Sequence, residues 1–163
     1  MPEVSVREMQ EREFDDWYEE STRFLAASQV AGGNWPAEEA LERAHESRRA
    51  LLPQGRATAG MVFLRALRPD GTPVGAVWLG LTHPRGVPDC AFLYFLEVGE
   101  AHRGAGYGRA LLEAAEELAR SRGANSLELN VFGYNDPAVR LYETAGYRVV
   151  TQQMRKSWDG HRT

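Results

Sequence analysis

The feature that most constrains this chain is the apolar run Cys90–Val98, which leads into Arg103-Gly104-Ala105-Gly106-Tyr107-Gly108 and then into a helical stripe. Leu111, Ala115, Leu118 and Arg122 share that stripe, Leu112, Ala114 and Ala119 lie beside it, and Gly123 supplies a left-handed stop. A buried strand, a glycine-rich turn and an amphipathic helix in this order aim successive backbone N–H groups at one point, next to the positive end of the helix dipole. Such a turn binds phosphate. Its glycines permit positive φ, or let an oxygen approach closer than a Cβ would allow. Arg103 and Arg109 can add cationic contacts.

Several readings of the loop compete. A Walker loop would need Gly-Lys-Ser or Gly-Lys-Thr, which is absent. A dinucleotide fingerprint needs a third glycine three places after its second, where Arg109 or Leu111 stands, and it normally follows the first strand of a βαβ unit. This loop follows about four strands. A plain connector would require neither three closely spaced glycines nor Arg103. Coenzyme A is the better-fitting ligand.

The remaining elements alternate around this centre. Val4-Ser5-Val6 reads as a strand, and Phe14, Trp17, Tyr18, Ser21, Phe24, Leu25 and Ser28 follow at helical spacing until Gly32-Gly33. Pro36 suits the first turn of a second helix through Ala40, Leu41, Ala44, Arg48 and Leu51, stopped by Pro53. Met61–Leu67 and 74–81 form a hairpin about the turn Arg68-Pro69-Asp70-Gly71-Thr72. Leu127, Leu129 and Val131 alternate as a strand, and Asn135-Asp136-Pro137 opens a helix through Ala138, Leu141, Tyr142 and Ala145 to Gly146. Residues 147–156 read as one or two closing strands. The whole, 1–163, is expected to be a single α/β domain.

With 43% apolar and 26% charged residues the chain falls in the globular range, and its length allows roughly two-thirds of the unfolded surface to be buried. A net charge of −4, with arginines spread along the chain, argues against a nucleic-acid partner. A small molecule or an exposed amine fits better. Cys90 is the only cysteine, so no internal disulfide forms, and no leading apolar segment or membrane span is legible. The expected location is cytoplasmic, without a membrane partner.

Arg103-Gly104-Ala105-Gly106-Tyr107-Gly108-Arg109-Ala110-Leu111-Leu112 resembles the acetyl-CoA signature of the GNAT superfamily of N-acetyltransferases. Downstream, Leu127-Glu128-Leu129-Asn130-Val131-Phe132-Gly133-Tyr134-Asn135, followed by Leu141-Tyr142-Glu143-Thr144-Ala145-Gly146-Tyr147, is similar to that family's asparagine and Leu-Tyr-Glu-x-x-Gly-aromatic segment. The resemblance covers about residues 91–157; before that, the element order matches more than the residues do. Gly99-Glu100 stands where many relatives carry Asp-Pro.

This resemblance implies an α/β (α+β) fold: a mixed, mostly antiparallel sheet of six or seven strands flanked by about four helices, splayed between strands four and five to admit the pantetheine arm. It implies acetyl-CoA as cosubstrate, no metal, and direct transfer to an amine of a small molecule or protein in a ternary complex. Backbone groups at Leu96, Glu97 and Val98 would bond the arm, and the Val98 N–H would polarise the acetyl carbonyl. The loop Arg103, Gly104, Ala105, Gly106, Tyr107, Gly108 and Arg109 would hold the pyrophosphate, and Asn135 would bond the pantetheine amides or cap its helix.

Acetyl transfer to an amine needs a neutral nucleophile, a stabilised oxyanion and a protonated leaving thiolate. Tyr142 matches the family tyrosine that reaches the thioester sulfur; the competing reading is a core aromatic beside Leu141 and Ala145. Glu97 is the base candidate, since it ends the apolar segment Ala91-Phe92-Leu93-Tyr94-Phe95-Leu96 and partly dry surroundings favour a basic carboxylate. Against it stand a strand-end carboxylate facing water and a proton relay through water.

Asp15, Asp16, Glu19 and Glu20 around Trp17 and Tyr18 read as a solvated helix face, and His45, His83, His102 and His161 lack metal-ligand spacing. Cys90 reads as a small buried apolar residue. A homodimer through Trp158 and the closing strands is compatible with the pattern but not demanded by it. The rival functions are a coenzyme A-binding regulatory module without turnover, and a nucleotide-binding protein of another class.

Overall fold

A computed structural model describes residues 1–158 and divides them into two compact units. The first comprises Met1–Phe14 with Gln54–Asn130, and the second Asp15–Pro53 with the residues from Val131 onwards. The elements in chain order are β1 (Ser5–Glu8), α1 (Glu11–Ala31), α2 (Ala40–Leu51), β2 (Met61–Leu67), β3 (Pro73–Gly80), β4 (Cys90–Val98), α3 (Tyr107–Ser121), β5 (Ser126–Leu129) and α4 (Asp136–Thr144). The described residues are thus mixed α/β, with four helices and one five-stranded, mostly antiparallel sheet.

All five strands lie in the first unit, in the order β1-β2-β3-β4-β5. The β2–β3 turn closes as its residues dictate. The Arg68 N–H donates to the Thr72 carbonyl at 2.9 Å, and the Asp70 side chain accepts the Thr72 N–H, also at 2.9 Å. β1 to β4 pair antiparallel, whereas β4 and β5 pair parallel because α3 carries the chain back across the sheet between them. Val74, Ala76, Val77, Trp78 and Leu79 of the central strand β3 are buried, as in a sheet covered on both faces.

The helix α3 contributes Leu111, Leu112, Ala115 and Ala119 to this core. Its approach depends on Gly75 of β3, where a Cβ would lie 2.3 Å from the Glu97 carbonyl oxygen and 2.7 Å from Leu111 Cδ2. Of the predicted stripe, Leu118 is half-buried and Arg122 is exposed. Within the second unit, Ala26, Ala40 and Ala44 form a small core with Leu25, Val30 and Trp35. Arg48 is buried there too and donates to the Ser21 carbonyl at 3.4 Å; burial lowers its guanidinium pKa to about 10, against an opposing contribution from Tyr18.

The expected sixth and seventh strands are absent among the described residues. Residues 147–156 form no strand, with Val149 67% and Val150 70% exposed. Their β-branched sequence favours extended chain, but a strand also needs a neighbouring ladder, and β5 remains the last member of the sheet. β5 itself ends at Leu129, so Val131 falls outside it. The second helix starts at Ala40, later than Pro36 suggested, and Phe24 and Leu41 of the predicted apolar stripes are about half exposed.

Candidate active site

The chain leaves β4 at Val98, makes a short 3-10 turn at Glu100–His102, and enters α3 through the glycine loop. Gly104 has φ of 77° and Gly106 has φ of 87°, both in the left-handed region that favours glycine. Gly106 is the residue immediately before α3, and its carbonyl accepts the Ala110 N–H at 3.3 Å. The N–H groups of Tyr107 and Gly108, at the start of the first helical turn, precede the first i to i−4 acceptor and point out of the helix start. Gly104, Ala105 and Gly106 are exposed, which leaves that start open to an anion. The His102 and Tyr107 rings meet edge-on across the loop at 5.9 Å.

Arg103 is folded back onto β4. Its Nε donates to the Val98 carbonyl at 3.1 Å, and its Nη2 lies 3.4 Å from Glu97 Oε1. The loop arginine and the candidate base are thus brought together as an ion pair. The Glu97 side chain is 37% exposed and Leu96, Glu97 and Val98 are all only half-buried, so the strand end is wetter than its apolar sequence suggests.

On the β5 side, the parallel register runs from Cys90↔Ser126 to Leu93↔Leu129 and stops there, although β4 continues to Val98. On the β3 side, Leu79 pairs with Leu93 and Trp78 with Phe95, so Tyr94 is an extra residue in β4. A bulge of this kind bends its strand and raises the local twist. It falls one residue beyond the last β4–β5 pair, and this gives a physical reason for the two strands to part there.

Sequence reading passed over two features of this region. Tyr94 stacks on Trp78 at 4.5 Å and meets Phe92 at 4.8 Å, while burial pushes its phenol pKa up against the opposing pull of Arg85. His83, a fully buried side chain, accepts the Arg85 N–H on Nδ1 at 3.0 Å. Its proton therefore sits on Nε2, which donates to Glu128 Oε2 at 2.5 Å. Arg85 also binds Glu128, so the β3–β4 loop is tied to β5 beside the Phe92↔Glu128 pair. No local motif signals this, because loop and strand are distant in sequence. His161 lies outside the described residues.

Asn135 and Tyr142 belong to the second unit. Asn135 caps α4 through its Oδ1, which accepts the Ala138 N–H at 3.3 Å. Tyr142 is half-buried, its ring 5.7 Å from that of Tyr147, and burial raises its phenol pKa. Burial thus favours the protonated phenol.

A glycine loop thus opens a helix start beside a strand pair that parts midway, on a mixed sheet. The sequence model of the Acetyltransferase (GNAT) family matches residues 6–147, and the chain belongs to that family. It is 32% identical to the uncharacterized N-acetyltransferase YdgE of Bacillus subtilis, over 93% of this chain and 96% of that one. The crystal structure of YycN from the same organism is 29% identical and superposes with a TM-score of 0.90, covering 95% of this chain and 98% of that one. An acetyltransferase structure from Pyrococcus furiosus, 31% identical, gives 0.68 over 95% and 99%. The protein is an N-acetyltransferase. No described helix is long and apolar enough to cross a membrane.

Proposed function

We propose that the whole chain acts as one N-acetyltransferase domain that moves the acetyl group of acetyl-CoA directly to a primary amine of a small molecule or protein. The observation that carries this reading is the course of β4, which parts from β5 beyond Leu93, runs on to Val98 and then enters a left-handed glycine loop that opens the start of α3. The N–H groups of the first helical turn, at Tyr107 and Gly108, suit a pyrophosphate, and the exposed Gly104, where a Cβ would meet nothing within 4 Å, leaves room for its approach. Leu96, Glu97 and Val98 offer backbone groups for the pantetheine amides, with Asn135 as a further donor and acceptor. Acetyl-CoA supplies the activated acetyl thioester; the residues supply position and proton movement.

In this reading Glu97 accepts the proton of the acceptor amine, directly or through water, and the Val98 N–H donates to the acetyl oxygen as negative charge develops there. The Tyr142 hydroxyl donates to the departing sulfur. Arg103 holds the Glu97 carboxylate at the strand end and leaves it half-exposed, where it can meet an amine arriving from solvent.

Two tests separate this account from its rivals. Coenzyme A should raise the melting temperature where ATP and NAD do not; the opposite ranking would mark a nucleotide-binding protein of another class. Intact mass measured after incubation with acetyl-CoA alone should show no acetylated protein, whereas a stable acetyl adduct would replace direct transfer by a covalent intermediate.

A further inference from the structure

We propose that Arg103 is a latch that acetyl-CoA opens: its guanidinium sits across the end of β4, and the cosubstrate's pyrophosphate draws it away, uncovering Glu97 and the Val98 carbonyl together. This deepens the function proposed above and rests on it. Both partners of the guanidinium point to such a role. Its Nε donates to the Val98 carbonyl at 3.1 Å, and its Nη2 lies 3.4 Å from Glu97 Oε1. The carbonyl is one of the backbone groups offered to the pantetheine arm, and the carboxylate is the one offered to the acceptor amine. A guanidinium seated on both covers the groups that the reaction needs bare.

The exchange of partners is favourable in direction and small in extent. The Arg103 side chain is 56% exposed and that of Glu97 37%, and a pair this wet is weak. A pyrophosphate carries more charge than one carboxylate, and its oxygens match the planar fork of a guanidinium. The backbone need not follow the side chain. The Arg103 N–H donates to the Glu100 carbonyl at 3.3 Å and the His102 N–H to the Gly99 carbonyl at 2.8 Å, which fixes the short turn that carries Arg103. Next to it Gly104 faces open space, where a Cβ would meet nothing within 4 Å. Because such coupling is reciprocal, whatever holds Arg103 on Glu97 opposes the coenzyme, and the coenzyme opposes that pair by the same factor. The base is thus uncovered as the acetyl donor binds.

Calorimetry with coenzyme A on the full chain, on Glu97→Gln, on Arg103→Gln and on the double variant reads this coupling without any turnover. Glu97→Gln should tighten binding by about two- to five-fold, the worth of a half-exposed ion pair that no longer opposes it. In the Arg103→Gln background the same substitution should leave the affinity unchanged. A crystal structure with coenzyme A should show the Arg103 guanidinium on the pyrophosphate and off Glu97. Equal tightening in both backgrounds would mean that the carboxylate merely repels phosphate and would overturn the latch. An unchanged or weaker affinity in Glu97→Gln, or Arg103 still seated on Glu97 beside bound coenzyme A, would overturn it as well. A parent chain that binds no coenzyme A would overturn the reading of the site itself, and the latch with it.

Discussion

At the residue scale, Tyr142 is the side chain whose environment most directly suits its assigned task. Burial raises its phenol pKa above the ordinary value near 10, so it remains a donor throughout the range in which amines are acetylated. Tyr142→Phe should lower kcat by on the order of 10²-fold while leaving acetyl-CoA affinity within a few-fold, the signature of an interaction made in the transition state. Parental turnover would make it a packing residue. The neutral phenol has a linked effect on stability, fully present below its unfolded value near 10 and lost as pH rises through the higher folded one. Thermal melts above that pH should fall less steeply in Tyr142→Phe than in the parent. Glu97→Gln should reduce activity most at low pH, where fewer acceptor amines are neutral, and a uniform loss across pH would indicate positioning instead. Because Glu97 and Arg103 are a half-exposed pair, this substitution should change stability by less than about 1 kcal/mol. Both residues stood out in the sequence; their pairing did not, because it requires the loop to fold back on the strand it follows.

At the element scale, the strand-loop-helix passage was legible because its signals are local. β4 has the bounds its apolar run predicted, and Gly104 and Gly106 adopt the positive φ that their spacing suggested. Gly106→Val should abolish coenzyme A binding in calorimetry with the fold kept, since a branched residue disfavours φ of 87° and its Cβ would lie 3.0 Å from Pro2 Cδ, so the loop must shift. The bulge at Tyr94 was hidden, because it depends on how β3 and β4 align and not on either sequence alone. Gly75 was likewise unremarkable in sequence, yet Gly75→Ala should destabilise the protein by about 1–3 kcal/mol, because the added methyl meets backbone at 2.3 Å and Leu111 at 2.7 Å. A melting temperature equal to the parent's would mean that α3 has room to spare. The closing strands were misread for a complementary reason: 147–156 has strand propensity, but propensity alone does not supply the ladder partner.

At the scale of the whole molecule, the family sequence model spans 6–147 and so draws on both compact units, which accords with their serving one activity. What the sequence leaves least defined is the acceptor. The first two helices and the 82–89 loop resemble the family in order more than in residues, and acceptor walls depend on the packing of side chains far apart in the chain. The acidic balance of −4 still favours cationic, amine-bearing partners over nucleic acid. The account turns on acetyl transfer itself, which is read most directly as release of coenzyme A thiol from acetyl-CoA in the presence of a panel of polyamines, aminoglycosides, amino acids and peptide amines. At least one amine should drive thiol release at a rate that saturates with both substrates and disappears in Gly106→Val. Tight coenzyme A binding with no amine-dependent release across the panel would contradict the account and leave a binding module in its place.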